Sequence, residues 1–291
     1  MKQFFKQSKF SSNLAIPKIV KVGIKFLNAI STRLTLFVIS KFFATPIQFA
    51  RPERELGMLA SSQKKKFYCK EINKTIQIIS YGFSDKKVLL AHGWSGRSTQ
   101  LFMIANHLLE QGYMVISFDA PAHGSSSGKS TNLIEYIDCV KGIQKEFGPF
   151  DAAIGHSFGG MVLMNVQADC NAFKCLVTIG AADKVSDIFY NFIKNIGLNT
   201  SFADKFIKLF EKKLGIRLDD NSTSVAAKKV SIPSFIVHDV LDGDVAVSCA
   251  INIRQSLQKG ALLITNGLGH TKILRNNNIS LRIVKFIKEH T

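Results

Sequence analysis

Between residues 88 and 180 short apolar runs alternate with longer amphipathic stretches, and few folds accommodate that rhythm. The runs at 88–91, 115–119, 152–155 and 176–180 have the length and β-branched content of buried strands. The stretches at 99–111, 132–147 and 159–167 place their apolar residues at helical spacing. Strands that alternate with helices are joined by right-handed crossovers into a mostly parallel sheet covered on both faces. A hairpin over 67–72 and 75–81, turning at Asn73 and Lys74, precedes this unit. After it the rhythm breaks over 183–230, where helices are expected at 188–195 and 202–214. It resumes with strands at 234–238 and 262–266, a helix at 247–257 and a last helix that starts at 272 or 279 and ends at 290. The expected fold is α/β, a mostly parallel central sheet flanked by helices with a helical insertion at 183–230. With 291 residues, 46% of them hydrophobic, the chain can bury a large core.

One strand-to-helix junction carries chemistry. Gly155-His156-Ser157-Phe158-Gly159 has the form GxSxG and lies between the strand at 152–155 and the helix at 159–167. The turn it implies is so sharp that side chains two residues either side of Ser157 would clash. The serine hydroxyl then stands above the sheet at the start of a helix, which marks Ser157 as a candidate nucleophile. A second segment, His92-Gly93-Trp94-Ser95-Gly96, follows the strand at 88–91. An oxyanion needs two fixed N–H donors, and the backbones of Trp94 and Phe158 are placed to supply them. His92 reads as structural, because no pattern calls for a base there.

At this point the chain resembles the alpha/beta hydrolase superfamily over roughly residues 67–291. The resemblance rests on HGWSG at 92–96, on Asp119-Ala120-Pro121-Ala122-His123-Gly124 at a strand end, on GHSFGG at 155–160 and on a late aspartate and histidine. In the second of these, Ala122 stands where the superfamily usually has glycine, and Asp119 and His123 read as turn-stabilising. The resemblance implies the order serine, acid, histidine. It assigns His270, in Gly267-Leu268-Gly269-His270-Thr271, as general base. It assigns Asp242 as the acid that orients the base, with Asp239 and Asp244 as neighbouring alternatives and Asp183 as a distant one. His238 reads as buried and His290 as solvated. Residues 183–230 fall where the superfamily carries a lid. Their apolar stretches either line an acyl pocket or pack the lid onto the core. The implied activity is hydrolysis of a carboxylic ester, or a related acyl bond, of a small-molecule substrate through an acyl-enzyme, with no metal or organic cofactor. The contrasting reading is a non-catalytic protein of this fold that binds a ligand or a membrane surface.

Charge divides the chain unevenly. Residues 1–66 carry 13 Lys and Arg against 2 Glu, whereas the other 225 residues carry 25 against 19. Ile19, Val20, Val22, Phe26, Leu27 and Ile30 fall roughly at helical spacing, with Lys18, Lys21 and Lys25 on another face. The expected organisation is a basic, amphipathic helical segment over 1–66 ahead of the α/β domain over 67–291. The first segment reads either as a solvated, lysine-rich region or as a peripheral membrane contact through residues 1–50. Nucleic acid is not expected, since no recognition signature accompanies the charge. Lysines interrupt every apolar run well short of the ~20 residues a spanning helix needs. Five scattered cysteines with no CxxC pair suit a reducing compartment such as the cytoplasm, with membrane association open.

Overall fold

A computed structural model describes residues 16–291, so the first fifteen residues of the basic segment lie outside the described residues. Eight strands form one sheet: β1 (Ser62–Cys69), β2 (Lys74–Tyr81), β3 (Lys87–Ala91), β4 (Met114–Phe118), β5 (Phe150–His156), β6 (Phe173–Ile179), β7 (Ser234–Asp239) and β8 (Gly260–Thr265). Their order is β1-β2-β4-β3-β5-β6-β7-β8. The β1–β2 and β2–β4 pairings are antiparallel and all others parallel. The helices are α1 (Lys18–Ile30), α2 (Thr32–Ala44), α3 (Leu56–Ala60), α4 (Phe102–Glu110), α5 (Leu133–Phe147), α6 (Phe158–Cys170), α7 (Val185–Asn195), α8 (Thr200–Leu214), α9 (Thr223–Ala227), α10 (Val247–Ser256), α11 (Gly269–Lys272) and α12 (Asn277–His290).

Successive strand side chains point to opposite faces, and in the central strands both faces are buried. Leu89, Ala91 and Ala153 join the core with Tyr136, Val140, Met161 and Val166 of α5 and α6. Val88, Leu90 and Ile154 join the other core with Ile104 and Leu108 of α4 and Ile283 and Ile287 of α12. This explains why these strands read as continuous apolar runs. Each such Leu or Ile contributes about 2 kcal/mol through burial.

The opening hairpin differs from expectation in extent. β1 starts at Ser62, five residues before the expected strand, and pairs along its whole length from Ser62↔Tyr81 to Cys69↔Lys74. Its first half is the exposed edge of the sheet, where Gln63 to Lys66 face solvent. Lysines there discourage pairing with another chain, and they also disguise the strand as a charged run.

The break over 183–230 is helical, carrying α7, α8 and α9 between β6 and β7. Its aromatic residues pack rather than line an open pocket. Phe189, Phe206 and Phe210 are buried, and all three rings surround Phe43 of α2 at centroid distances of 4.6–5.6 Å. Residues 32–44 thus form a helix whose inner face, with buried Thr35 and Ile39, closes over the insertion. Among the described residues no helix is long and apolar enough to cross a membrane.

Candidate active site

The C-terminal ends of the parallel strands carry the candidate residues, the position at which open α/β sheets bind ligands. Ser157 directly follows β5 with φ 52° and ψ −119°, a strained conformation for a residue with a side chain. Two glycines permit it. A Cβ on Gly155 would lie 2.6 Å from the backbone of Gly159, and one on Gly159 would collide with the carbonyl of Ala91 on β3. The elbow therefore packs directly on the neighbouring strand, and Ser157 N–H donates to the Ile179 carbonyl of β6 at 2.8 Å. Helix α6 begins at the next residue, so the Phe158 N–H lies in its unpaired first turn.

His270 sits on the short helix after β8. Its Nδ1 lies 2.7 Å from Asp242 Oδ2, on the loop after β7. The other oxygen of Asp242 accepts from the N–H groups of Asp244 and Val245 at 2.9 and 2.8 Å. Burial pushes the Asp242 carboxyl up. The hydrogen bond and charge of His270, with the Val245 N–H and His238, outweigh it and hold the group below the ordinary carboxylate range. Two of the three alternatives, Asp239 and Asp183, do other work. Asp239 accepts from Thr265 Oγ1, Leu268 N–H and Leu241 N–H, which ties the histidine loop to β7. Asp183 accepts from Ser224 N–H and Asn252 Nδ2 and anchors α9. Among the described residues, Asp242, Asp244 and His270 bring donor atoms within 4.8 Å of one another, the spacing of a metal ligand set. In that group the facing atoms of Asp242 and His270 already bind each other.

His156, whose identity the GxSxG pattern leaves free, links serine and histidine. Its Nε2 donates to the His270 carbonyl at 2.9 Å, and the two rings lie 4.7 Å apart. Burial, then the charge of His270, pushes its pKa down to about 3, so the ring is neutral. No motif marks this contact, because it spans 114 residues.

The loop after β3 is braced from three sides. His92 Nδ1 donates to the Gly93 carbonyl, and its Nε2 accepts from Ala120 N–H at 2.9 Å. His123 Nε2 accepts from Ser95 N–H at 3.0 Å, and Ser95 itself holds φ 57°. Burial lowers the pKa of His92 to about 4 and of His123 to about 3, so both are fixed neutral braces. Asp119 accepts from Ser98 and Ser125 N–H groups on either side of the turn, and Ala122 takes φ 63°, the conformation that favours glycine. The Trp94 ring meets those of Phe158 and His123 edge-on at 5.5 and 5.3 Å, bringing the two candidate oxyanion segments together. A third brace comes from the N-terminal region and was not legible in the sequence. Buried Glu55 accepts from Arg97 Nε and Thr99 Oγ1 at 2.7 Å each, while Ile47 N–H donates to Ser95 Oγ at 3.0 Å. His238 is buried with Nε2 donating to the Val245 carbonyl, and His290 is exposed at the C-terminal end of α12.

A family model described as the alpha/beta hydrolase family matches residues 88–240, just over half of the chain. The chain belongs to the alpha/beta hydrolase family. No curated protein matches it. Among solved structures, this alpha/beta hydrolase is similar to an esterase of Pyrococcus furiosus, with TM-score 0.65, 18% identity and coverage of 85% of this chain and 98% of that one. An esterase of Exiguobacterium antarcticum aligns with TM-score 0.62 and 17% identity, covering 78% of this chain and 100% of that one. A serine hydrolase involved in carbazole degradation aligns with TM-score 0.60 and 17% identity, covering 78% and 99%. At these identities the likeness is one of fold. In this alpha/beta hydrolase the residues matched by the family model include the loop after β3, the elbow and β7, whereas Asp242 and His270 lie beyond them.

Proposed function

We propose that this alpha/beta hydrolase is a serine hydrolase that cleaves carboxylic esters, with Ser157 as nucleophile, His270 as general base and Asp242 as orienting acid. The observation that carries the reading is a histidine whose Nδ1 is held at 2.7 Å by a buried carboxylate and whose carbonyl bonds His156, the residue before the strained elbow serine. In this reading Ser157 Oγ attacks the ester carbonyl carbon while its proton passes to His270 Nε2. The N–H groups of Trp94 and Phe158 hold the oxyanion of the tetrahedral intermediate. His270 returns the proton to the departing alkoxide, leaving an acyl group on Ser157. A water molecule, deprotonated by His270, then releases the acid and restores the serine. The helices α7 to α9 serve as the lid over the acyl site. Two of the structural neighbours named above are esterases, which is the ground for reading the scissile bond as an ester.

Assaying the full chain against p-nitrophenyl esters from acetate to palmitate tests this reading. Turnover of at least one chain length is the expected result. A folded protein that turns over none of them overturns the ester assignment.

A further inference from the structure

Helices α1 and α2 are joined by the single residue Ser31 and cover the insertion with one face only. On α2, Thr35, Ile39 and Phe43 turn inward, and on α1 the half-buried Ile24 packs on the same core. The opposite side is apolar as well and, among the described residues, stands largely exposed. Ile19 is 81% exposed, Phe26 69%, Val22 66% and Ile30 66%, and on α2 Phe37 is 56% and Leu34 47% exposed. Soluble surfaces carry single exposed apolar residues routinely but rarely a contiguous stripe of them. Helical spacing puts Ile19, Val22, Phe26 and Ile30 on one stripe.

Cations border this stripe. Lys18, Lys25, Arg33 and Lys41 are exposed, and Lys41 Nζ lies over the Phe37 ring at 4.5 Å. Among residues 16–52 there is no aspartate or glutamate, and the fifteen residues before them add Lys2, Lys6 and Lys9, again without an acid. An apolar stripe edged by cations is complementary to the headgroup layer of an anionic bilayer, in which a helix lies flat with its apolar side inserted. A nucleic acid would match the cations but leave the aromatic and aliphatic side chains unexplained. At 1.5 Å per residue α1 is about 20 Å long, too short to span the hydrocarbon layer of about 30 Å, so only in-plane docking fits.

We infer that the outer face of α1 and α2 docks the protein on an anionic lipid bilayer. The segment that follows α2 reaches the active site. Ala44 accepts from Thr131 N–H, Ile47 donates to Ser95, and Arg97 donates to the Phe49 carbonyl. The docking face is therefore fixed to the loop that bears Trp94.

Co-sedimentation of the full chain with vesicles of phosphatidylcholine alone, or mixed equally with phosphatidylglycerol, tests the inference. Three variants accompany the wild type: V22S/F26S/I30S, K18Q/K25Q/R33Q, and K64Q/K66Q on the exposed β1 edge as a charge control. Melting temperatures establish that each is folded. The wild type should sediment with mixed vesicles and not with phosphatidylcholine. Each cation near an anionic surface strengthens binding by about fivefold, so K18Q/K25Q/R33Q should bind at least about 10-fold more weakly. V22S/F26S/I30S should lose a comparable factor although its charge is unchanged, while K64Q/K66Q should remain close to wild type. The inference is overturned if the wild type ignores mixed vesicles, if V22S/F26S/I30S binds as the wild type does, or if K64Q/K66Q loses as much as the helix variants, which would mean attraction to net charge alone. It is equally overturned if the wild type is a dimer that ignores vesicles and V22S/F26S/I30S is a monomer, because the stripe would then be covered by a second copy.

Discussion

Replacing Asp242 by asparagine should lower kcat on a soluble ester by about ten-thousand-fold while leaving KM nearly unchanged. The size follows from how the carboxylate is held. Its Oδ1 accepts from two backbone N–H groups, those of Asp244 and Val245. An asparagine in the same place must present its carbonyl oxygen to those donors, which turns its NH2 group toward His270 Nδ1. The imidazole is then forced to accept at Nδ1 and to carry its proton at Nε2. A ring protonated at Nε2 cannot take the serine proton. Because the backbone donors dictate the orientation, the amide has no favourable flipped state in which the enzyme would recover. Steady-state kinetics of Asp242→Asn against a p-nitrophenyl ester measures this. A loss smaller than tenfold would mean that Asp242 does not set the tautomer of His270.

The second large effect is on stability in acid. His92, His123 and His156 have folded pKa values of about 4, 3 and 3, lowered chiefly by burial from an ordinary value of 6.5. Above pH 6.5 both the folded and the unfolded chain hold these rings neutral, and they add no pH dependence. Below it the unfolded chain takes up a proton at each ring and the folded chain does not. The stabilisation is therefore complete above pH 6.5 and lost as pH falls toward 4. Each ring contributes a slope of about 1.4 kcal/mol per pH unit, so the three together approach about 4 kcal/mol per pH unit. From pH 6.5 to 4 the loss reaches about 10 kcal/mol at most, comparable with a total stability of about 5–15 kcal/mol, so stability should fall steeply over this range. The lowered carboxyls of Asp239 and Asp242 act in the same direction at still lower pH. Urea denaturation at pH 7.5, 6.5, 5.5 and 5.0 checks the slope. A free energy of unfolding that is flat across that series would show that burial does not hold these rings below their ordinary pKa.

The parts of the fold that could be read from the sequence are those where local pattern and burial agree. The central strands are buried on both faces, so β3, β5 and β6 appear as apolar runs. The elbow appears because its glycines are demanded by contact with β3 and within the turn itself. What could not be read depends on partners far away in the chain. β1 hides its first half behind exposed lysines on the sheet edge. The 183–230 break was legible as helical, but the choice between lining a pocket and packing on the core was not, because it is Phe43, more than 140 residues upstream of Phe189, that fills the space among its rings. Glu55 looked like one of two isolated acids in a basic segment, yet it is buried against Arg97 and Thr99. His156 carries no motif of its own, and its bond to the His270 carbonyl closes a distance of 114 residues. The acid differed in kind. Three aspartates within six positions were candidates, and the hydrogen bonds separate Asp239, which holds the loop, from Asp242, which faces the histidine.

Covalent labelling tests whether Ser157 is an activated nucleophile. The full chain is incubated with a fluorophosphonate probe at neutral pH, digested and read by mass spectrometry, beside Ser157→Ala. A single phosphonylated serine, Ser157, and no labelling of Ser157→Ala are the expected results. A folded wild type that remains unlabelled, or a Ser157→Ala protein labelled as strongly as the wild type, would contradict that role.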